Sequence, residues 1–513
     1  MDNRKLTIVT LIAGIVAFLV WFRRRARKHL PPGPPADPLI GHLRIIPQQK
    51  QAEAFHEWAK IYGDVMFLEV PGRKMVVLNS VESARALLDD KGSNYSCRPW
   101  FVVWELMGWT SSLTLLPHGK QFLKHRKMLQ TFFGKKESLA FNDILAEEAR
   151  ILVKSLLEAG KGDLLKYVHR LTVSNIIRVA CGHQVKSDDD LFMQLAEVFA
   201  QAASNSGPIG NTTVDLLPWL RHFPSWFPGT HYATMARSWY KVTRKMYDIS
   251  VEVVEAEMKE NRMITSSFVS EKLEELADHV NDQQNDDAVS LEDIKSAGAT
   301  IFAAGKETSY DTLTGFILAM VLNPEIQQRA YEEIIAVVGQ DRLPDLSDRE
   351  SLPYLECILH ENHRWHVVLP LGVPHRAQED DIFNGMFIPN NTVVIPNHRA
   401  MSRDERVYSD PLKFDPSRYL PAPEGKAEPC FSAAFGFGRR ICPGRHFADL
   451  AIWHVVACLL ATLEILPPKD AKGNVVIPEV NIVEGFGSAV APFEFEVRAR
   501  SEKARALIAE IEK

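Results

Sequence analysis

The chain has no C-x-x-C pair. Its six cysteines, Cys97, Cys181, Cys357, Cys430, Cys442 and Cys458, are scattered. That pattern argues against a disulfide scaffold or a zinc ribbon and for a reducing compartment. No Gly/Ser-rich linker, internal repeat or low-complexity tract follows residue 40, so one large catalytic domain fits the 513 residues better than several small ones. Net charge is −6, and no extended basic run exists outside residues 23–28, which leaves nothing to attract nucleic acid. No flavin or nicotinamide fingerprint is present, so electrons for any redox chemistry must come from a partner. What the chain does have is apolar material, 46% of its residues, enough for a large core.

Residues 6–22 form an uncharged apolar run of 17 residues, followed at once by Arg23, Arg24, Arg25, Arg27 and Lys28. At about 1.5 Å per residue the run just spans a bilayer, and the basic flank places its C-terminal side in the cytosol. A cleaved signal peptide would carry its charge before the run and small residues after it, where this chain has Trp21-Phe22-Arg23. Pro31-Pro32-Gly33-Pro34-Pro35 is a stiff, extended spacer. The expected organisation is an anchor and basic flank over 1–28, a proline-rich hinge over 29–40 and a catalytic domain over 41–513.

Apolar periodicity predicts helices over 52–62, 120–133, 138–159, 165–181, 191–203, 232–261 and 269–279. Two strand-like runs, 65–70 and 74–78, flank Gly72 as a hairpin. Residues 214–228 contain Trp219, Phe223, Trp226 and Phe227 among three prolines, which rule out a long helix. Such aromatics suit both a buried interior and a bilayer interface.

The most informative stretch is Phe435-Gly436-Phe437-Gly438-Arg439-Arg440-Ile441-Cys442-Pro443-Gly444, just ahead of an apolar helical run over 447–463. Glycines let the backbone turn and approach a flat ligand, and a thiol at a helix N-terminus is favoured as thiolate. Phe435-x-x-Gly438-x-Arg440-x-Cys442-x-Gly444 resembles the haem-binding loop of the cytochrome P450 family, with every motif position filled. The resemblance implies that Cys442 ligates haem iron. A thiolate in that place favours O–O cleavage and so points to oxygen activation.

Ser290-Leu291-Glu292-Asp293 reads as a capping box, and no proline follows until Pro324, so a helix of roughly 50 Å is expected between them. At its centre Ala304, Gly305, Glu307 and Thr308 resemble the family's oxygen-activation motif. Small residues there would let a flat cofactor and O₂ approach, and Glu307 and Thr308 would handle protons. Lys306 departs from the family, which has a small residue there; it stands beside Glu307 and can pair with it. Farther on, Glu361 and Arg364 lie one turn apart on a predicted helix over 352–364. With Arg418, in a segment similar to the family's Pro-x-Arg-Phe, they would form a buried network holding the thiolate loop. Tyr419 stands there where Phe is usual. His360 and His363 are one residue short of the H-E-x-x-H zinc spacing.

By the same resemblance Arg98, Arg126, His375 and Arg440 would hold the haem propionates, with Phe435 and Gly438 shaping the loop. The family's Trp before Arg126 is here Phe122, which has no N–H to donate; Lys124 and His125 are candidates to replace it. Val367 stands where related fungal enzymes often carry Pro. The resemblance implies a mainly α fold with a small β-rich lobe, preceded by one transmembrane helix in the endoplasmic reticulum membrane, with the catalytic domain cytosolic. It implies haem b, O₂ and NADPH-derived electrons delivered by NADPH–cytochrome P450 reductase, with cytochrome b5 as a second donor. Residues 226–229, 316–320 and 370–375 look most like fungal members of secondary metabolism, which suggests a small terpenoid, polyketide or alkaloid substrate. Specificity surfaces would be residues 100–116, 202–216, 297–304, 369–373 and 485–489. Two other readings stay open at this point: a haem-thiolate isomerase or dehydratase that does not use O₂, and a non-catalytic haem-binding protein.

Overall fold

Apolar side chains recurring at the helical period, uninterrupted by proline, build a body dominated by helices. The computed structural model describes residues 29–47, 49–206, 212–260, 266–278, 288–484 and 487–511. Helices of more than ten residues are, in chain order, α1 (Gln51–Tyr62), α2 (Lys120–Phe132), α3 (Asn142–Ala159), α4 (Leu165–Cys181), α5 (Leu191–Asn205), α6 (His231–Lys259), α7 (Phe268–Asp278), α8 (Leu291–Leu322), α9 (Pro324–Val338), α10 (Pro353–Trp365) and α11 (Arg445–Thr462). The expected start of α3 at 138 moves to Asn142 because Glu137–Phe141 is a tighter 3₁₀ turn. The apolar run over 6–22 lies outside the described residues. Among the described residues no helix is long and apolar enough to cross a membrane.

The small lobe is a four-stranded sheet ordered β1-β2-β6-β3, from β1 (Val65–Val70), β2 (Arg73–Leu78), β3 (His375–Arg376) and β6 (Val393–Pro396). The β1–β2 hairpin turns at Gly72, whose φ of +77° suits a residue without Cβ. β2 and β6 run parallel with Met75 opposite Val393, which joins the N-terminal and C-terminal thirds of the chain. Separate hairpins pair β4 (Asp381–Phe383) with β5 (Met386–Ile388) and β8 (Ile482–Glu484) with β9 (Ser488–Val490), and β7 (Leu463–Leu466) pairs with β10 (Glu496–Ala499).

Two helices are apolar nearly all round and are therefore interior. α8 crosses the body, packed on α4 and α6; α11 packs on α3 and touches α8. Ser290 caps α8: its hydroxyl accepts from the Asp293 N–H, and Asp293 accepts in return from the Ser290 N–H at 3.0 Å. The segment after α5 forms a helical turn, Thr213–Leu216, and a 3₁₀ turn, Pro218–His222. Leu220 is buried there, whereas Trp219 is 51% and Trp226 79% exposed.

Candidate active site

The glycine-rich loop is closed by the Cys442 N–H, which donates to the Phe435 carbonyl at 2.9 Å. Phe435 stacks edge-on against His363 of α10, with ring centres 5.3 Å apart. Gly438 has φ +54°, and a Cβ on it would stand 2.1 Å from the Leu88 carbonyl oxygen. Its glycine is therefore demanded by the neighbouring segment Arg85–Asp90, a different reason from the ligand approach expected of it. At Gly444 a Cβ would meet nothing within 4 Å, so the loop is open there. Burial pushes the Cys442 thiol above its ordinary value, against the opposing pull of the Gly444 N–H, Arg126 and Arg445. In the chain alone, burial thus opposes the pull of the helix terminus toward thiolate. Such a thiol loses its proton when it binds a metal.

Three arginines gather beside the loop, and each donates to uncharged oxygens. Arg126, on α2, reaches the Ile441 carbonyl at 2.5 Å and Gln130 at 3.1 Å. Arg440 reaches the carbonyls of Ser96 (2.7 Å), Leu113 (3.2 Å) and Leu116 (2.7 Å). Arg98 reaches those of Thr114 (3.0 Å), Val373 (2.6 Å) and Pro374 (2.9 Å). Burial, then the neighbouring Arg440, holds Arg98 well below the usual arginine value. Burial lowers Arg440 to about 10. Among the described residues no carboxylate pairs with any of the three.

His375 sits on β3 beside them, and its Nδ1–H donates to the Tyr95 carbonyl at 2.8 Å. Burial, then Arg98, holds it well below the ordinary histidine value. In this tautomer Nε2 carries a lone pair, so His375 meets a carboxylate as donor only after taking up a proton.

Phe122 lies under this group, its ring centre 3.6 Å from the Arg440 guanidinium carbon. The missing Trp N–H is thus replaced by a cation–π contact that fixes Arg440. Lys124 and His125 do not substitute for it. Both turn to the start of α8, where they meet Asp293 at 3.1 and 2.9 Å.

On α8, Thr308 donates to the Ala304 carbonyl one turn earlier at 2.7 Å, as its position predicts. Ala304 is exposed in the middle of a mostly buried helix, so its face borders open space. Gly305 faces the other way: a Cβ there would stand 2.3 Å from Ile176 Cδ1 of α4. Helix packing explains that glycine, and the expectation that it clears room for a ligand is corrected. Lys306 is 3% exposed and meets Glu307 at 2.5 Å.

Behind the loop, Glu361 pairs with Arg364 at 2.7 Å and Arg418 at 3.0 Å, all three fully buried. Tyr419, in place of Phe, uses its hydroxyl to donate to Glu361 at 2.9 Å. Arg364 spends its remaining donors on the carbonyls of Ser402, Pro411 and Lys413. His360 stacks on Tyr419, and among the described residues no group of three or more His, Cys, Asp or Glu side chains is placed to hold a metal ion.

A thiol in an open glycine loop, a wall of buried cations lacking counter-charge, and a helix bared at Ala304 together suit a flat, doubly anionic cofactor with an axial sulfur ligand. The cytochrome P450 family model matches residues 31–486. The chain belongs to the cytochrome P450 family. It is similar to cytochrome P450 monooxygenase 176 of Postia placenta, 36% identical over 517 residues, covering 99% of this chain and 98% of that one. It is similar also to cytochrome P450 monooxygenase COX1 of Coprinopsis cinerea, 32% identical over 525 residues, covering 99% and 100%. As a P450 monooxygenase it uses haem b with O₂ and NADPH-derived electrons.

Proposed function

We propose that this P450 is a membrane-bound monooxygenase that inserts one oxygen atom into a small apolar substrate in fungal secondary metabolism. The uncompensated cation wall supports the reading most. Burying arginines without carboxylates costs free energy unless an anionic ligand completes the site. Haem bound there supplies the oxidising chemistry.

In this reading Cys442 is the iron ligand, and Arg98, Arg126, Arg440 and protonated His375 hold the propionates. Phe435 and Gly438 shape the loop. Thr308 holds a proton at Oγ1, donated to the Ala304 carbonyl until a ligand takes it up, and Glu307, half-buried on the flank of α8, replenishes it from solvent. The reductase, and cytochrome b5 as a second donor, deliver electrons. The apolar run over 6–22 anchors the chain in the endoplasmic reticulum membrane, and exposed Trp219 and Trp226 support a second bilayer contact. Placement in secondary metabolism rests on the resemblances of residues 226–229, 316–320 and 370–375.

The test is a ferrous–CO difference spectrum on membranes carrying the full chain. The long-wavelength Soret band of a thiolate-ligated haem is expected, and Cys442→Ser abolishes it. A band that survives this substitution overturns the assignment. NADPH-independent product formation would instead favour an isomerase or dehydratase.

A further inference from the structure

Ala304, Thr308 and Asp311 follow one another at i, i+4 and i+7 on α8, so all three lie on one face of the helix. Ala304 marks that face as the open one. Asp311 is only 7% exposed, and among the described residues its carboxyl forms neither a hydrogen bond nor an ion pair. Its oxygens are not sealed in, unlike the orphaned buried atoms of Asn175 and His366. An unpartnered carboxyl, nearly buried but not fully sealed, therefore lies on the Ala304 and Thr308 face, one helical turn beyond Thr308.

The opposite wall stands against this carboxyl at Gly487, where a side chain would crowd it. Oδ2 of Asp311 lies 3.7 Å from where a Cβ on Gly487 would stand, and the same point is 3.3 Å from the Val368 carbonyl and 4.0 Å from Leu369 Cδ2. The Ser488 N–H donates to the Val368 carbonyl at 2.8 Å, pinning the β8–β9 hairpin to the extended segment after α10. Of the charged groups nearby, Lys306 is committed to Glu307, and Arg399 reaches the Ser488 hydroxyl at 3.1 Å. Burial, then Glu307, pushes the Asp311 carboxyl well above the usual carboxylate range, with Lys306 opposing. In its protonated form such a carboxyl has one O–H to donate and oxygen lone pairs to accept.

We propose that Asp311 is a specificity-determining residue that anchors a hydroxyl or carbonyl oxygen of the substrate, holding an otherwise apolar skeleton against Thr308. The assignment rests on the monooxygenase reading and narrows it from any apolar molecule to one already bearing oxygen. The reaction that supplies the substrate would then be an oxygenation, a hydration or a condensation that leaves oxygen in place. An acid left without a partner in the free protein costs stability. A substrate oxygen that pairs with it recovers that cost only in the complex.

The experiment uses the full-length, haem-loaded protein and three probes of one skeleton: decalin, 2-decalol and 2-decalyl-trimethylammonium. Binding is followed by spectral titration and, in parallel, by the ligand-induced shift in melting temperature, which does not depend on the haem spectrum. Wild type should bind the alcohol about tenfold more tightly than the hydrocarbon, the worth of one net hydrogen bond. Asp311→Leu should erase that preference while keeping or improving hydrocarbon binding, and Asp311→Asn should keep most of it. Both variants should melt at or above the wild-type temperature, because no native partner is lost. A preference that persists in Asp311→Leu, tightest binding of the ammonium probe, or a lower melting temperature in Asp311→Asn overturns the proposal. A normal CO band beside any of these spares the monooxygenase reading; an absent band beside an intact alcohol preference in the melting shifts does the reverse.

Discussion

Lys306 sits in a nearly closed site, where Glu307 meets it at 2.5 Å. Its ammonium also lies 5.9 Å from the Tyr310 ring centre, and burial, then this ammonium, holds His169 down at about 4. The pair ties Glu307 to the flank of α8 instead of leaving it free to swing toward Thr308. Lys306→Met keeps the packing and removes the tie. Peroxide released per NADPH consumed should change about two- to tenfold, below the roughly 10²–10⁴-fold of a full general acid–base contribution because Glu307 itself is kept, while haem content stays normal. An unchanged ratio would remove Lys306 from proton delivery. The pairing was visible in the sequence as a lysine beside an acid. Asp311 was not, since a charged residue in a helix reads as a solvated face until Gly487, far along the chain, is seen against it.

At the scale of the element, the start of α8 is tied to α2 through one carboxylate. Burial pushes Asp293 up, but His125, the Ser290 N–H and hydroxyl, and Lys124 outweigh it and hold the group well below the usual carboxylate range. A depressed pKa means stability that is present above the unfolded value, near pH 4, and is lost as pH falls through the folded value. Asp293→Asn should therefore lower stability at neutral pH by about 1–2 kcal/mol, the scale of a lost cap, and shrink the difference between wild type and variant as the solution is acidified. Melting curves across that range check both. The capping box was legible because its residues are three apart. The partnership with Lys124 and His125 was not, because it joins residues far apart in the chain, and both had been candidates for the cofactor edge. Gly305 was misread for a related reason: which side of a helix meets Ile176 is decided by packing and leaves no trace in local spacing.

Across the whole molecule, Glu361, Arg364 and Arg418 bind α10 to the chain leading into the thiolate loop. Arg418→Ala removes one cation from a fully buried set and leaves Glu361 and Glu428 short of a partner. A loss of about 3–5 kcal/mol is expected, with haem incorporation falling in step; normal haem content and melting temperature would refute this. The thiolate loop and this triad were readable because each motif is local and its residue types are chemically particular. The four-stranded sheet was only half readable, since β3 and β6 are short and join β1 and β2 from far along the chain. That joining has a consequence for biosynthesis. Arg98, Arg126, His375, Arg440 and Cys442 are drawn from both ends of a 513-residue chain. A ribosome must therefore deliver the chain as far as Cys442 before the full proposed grip on the prosthetic group exists, and a nascent fragment stalled short of the glycine-rich loop would lack both Arg440 and Cys442.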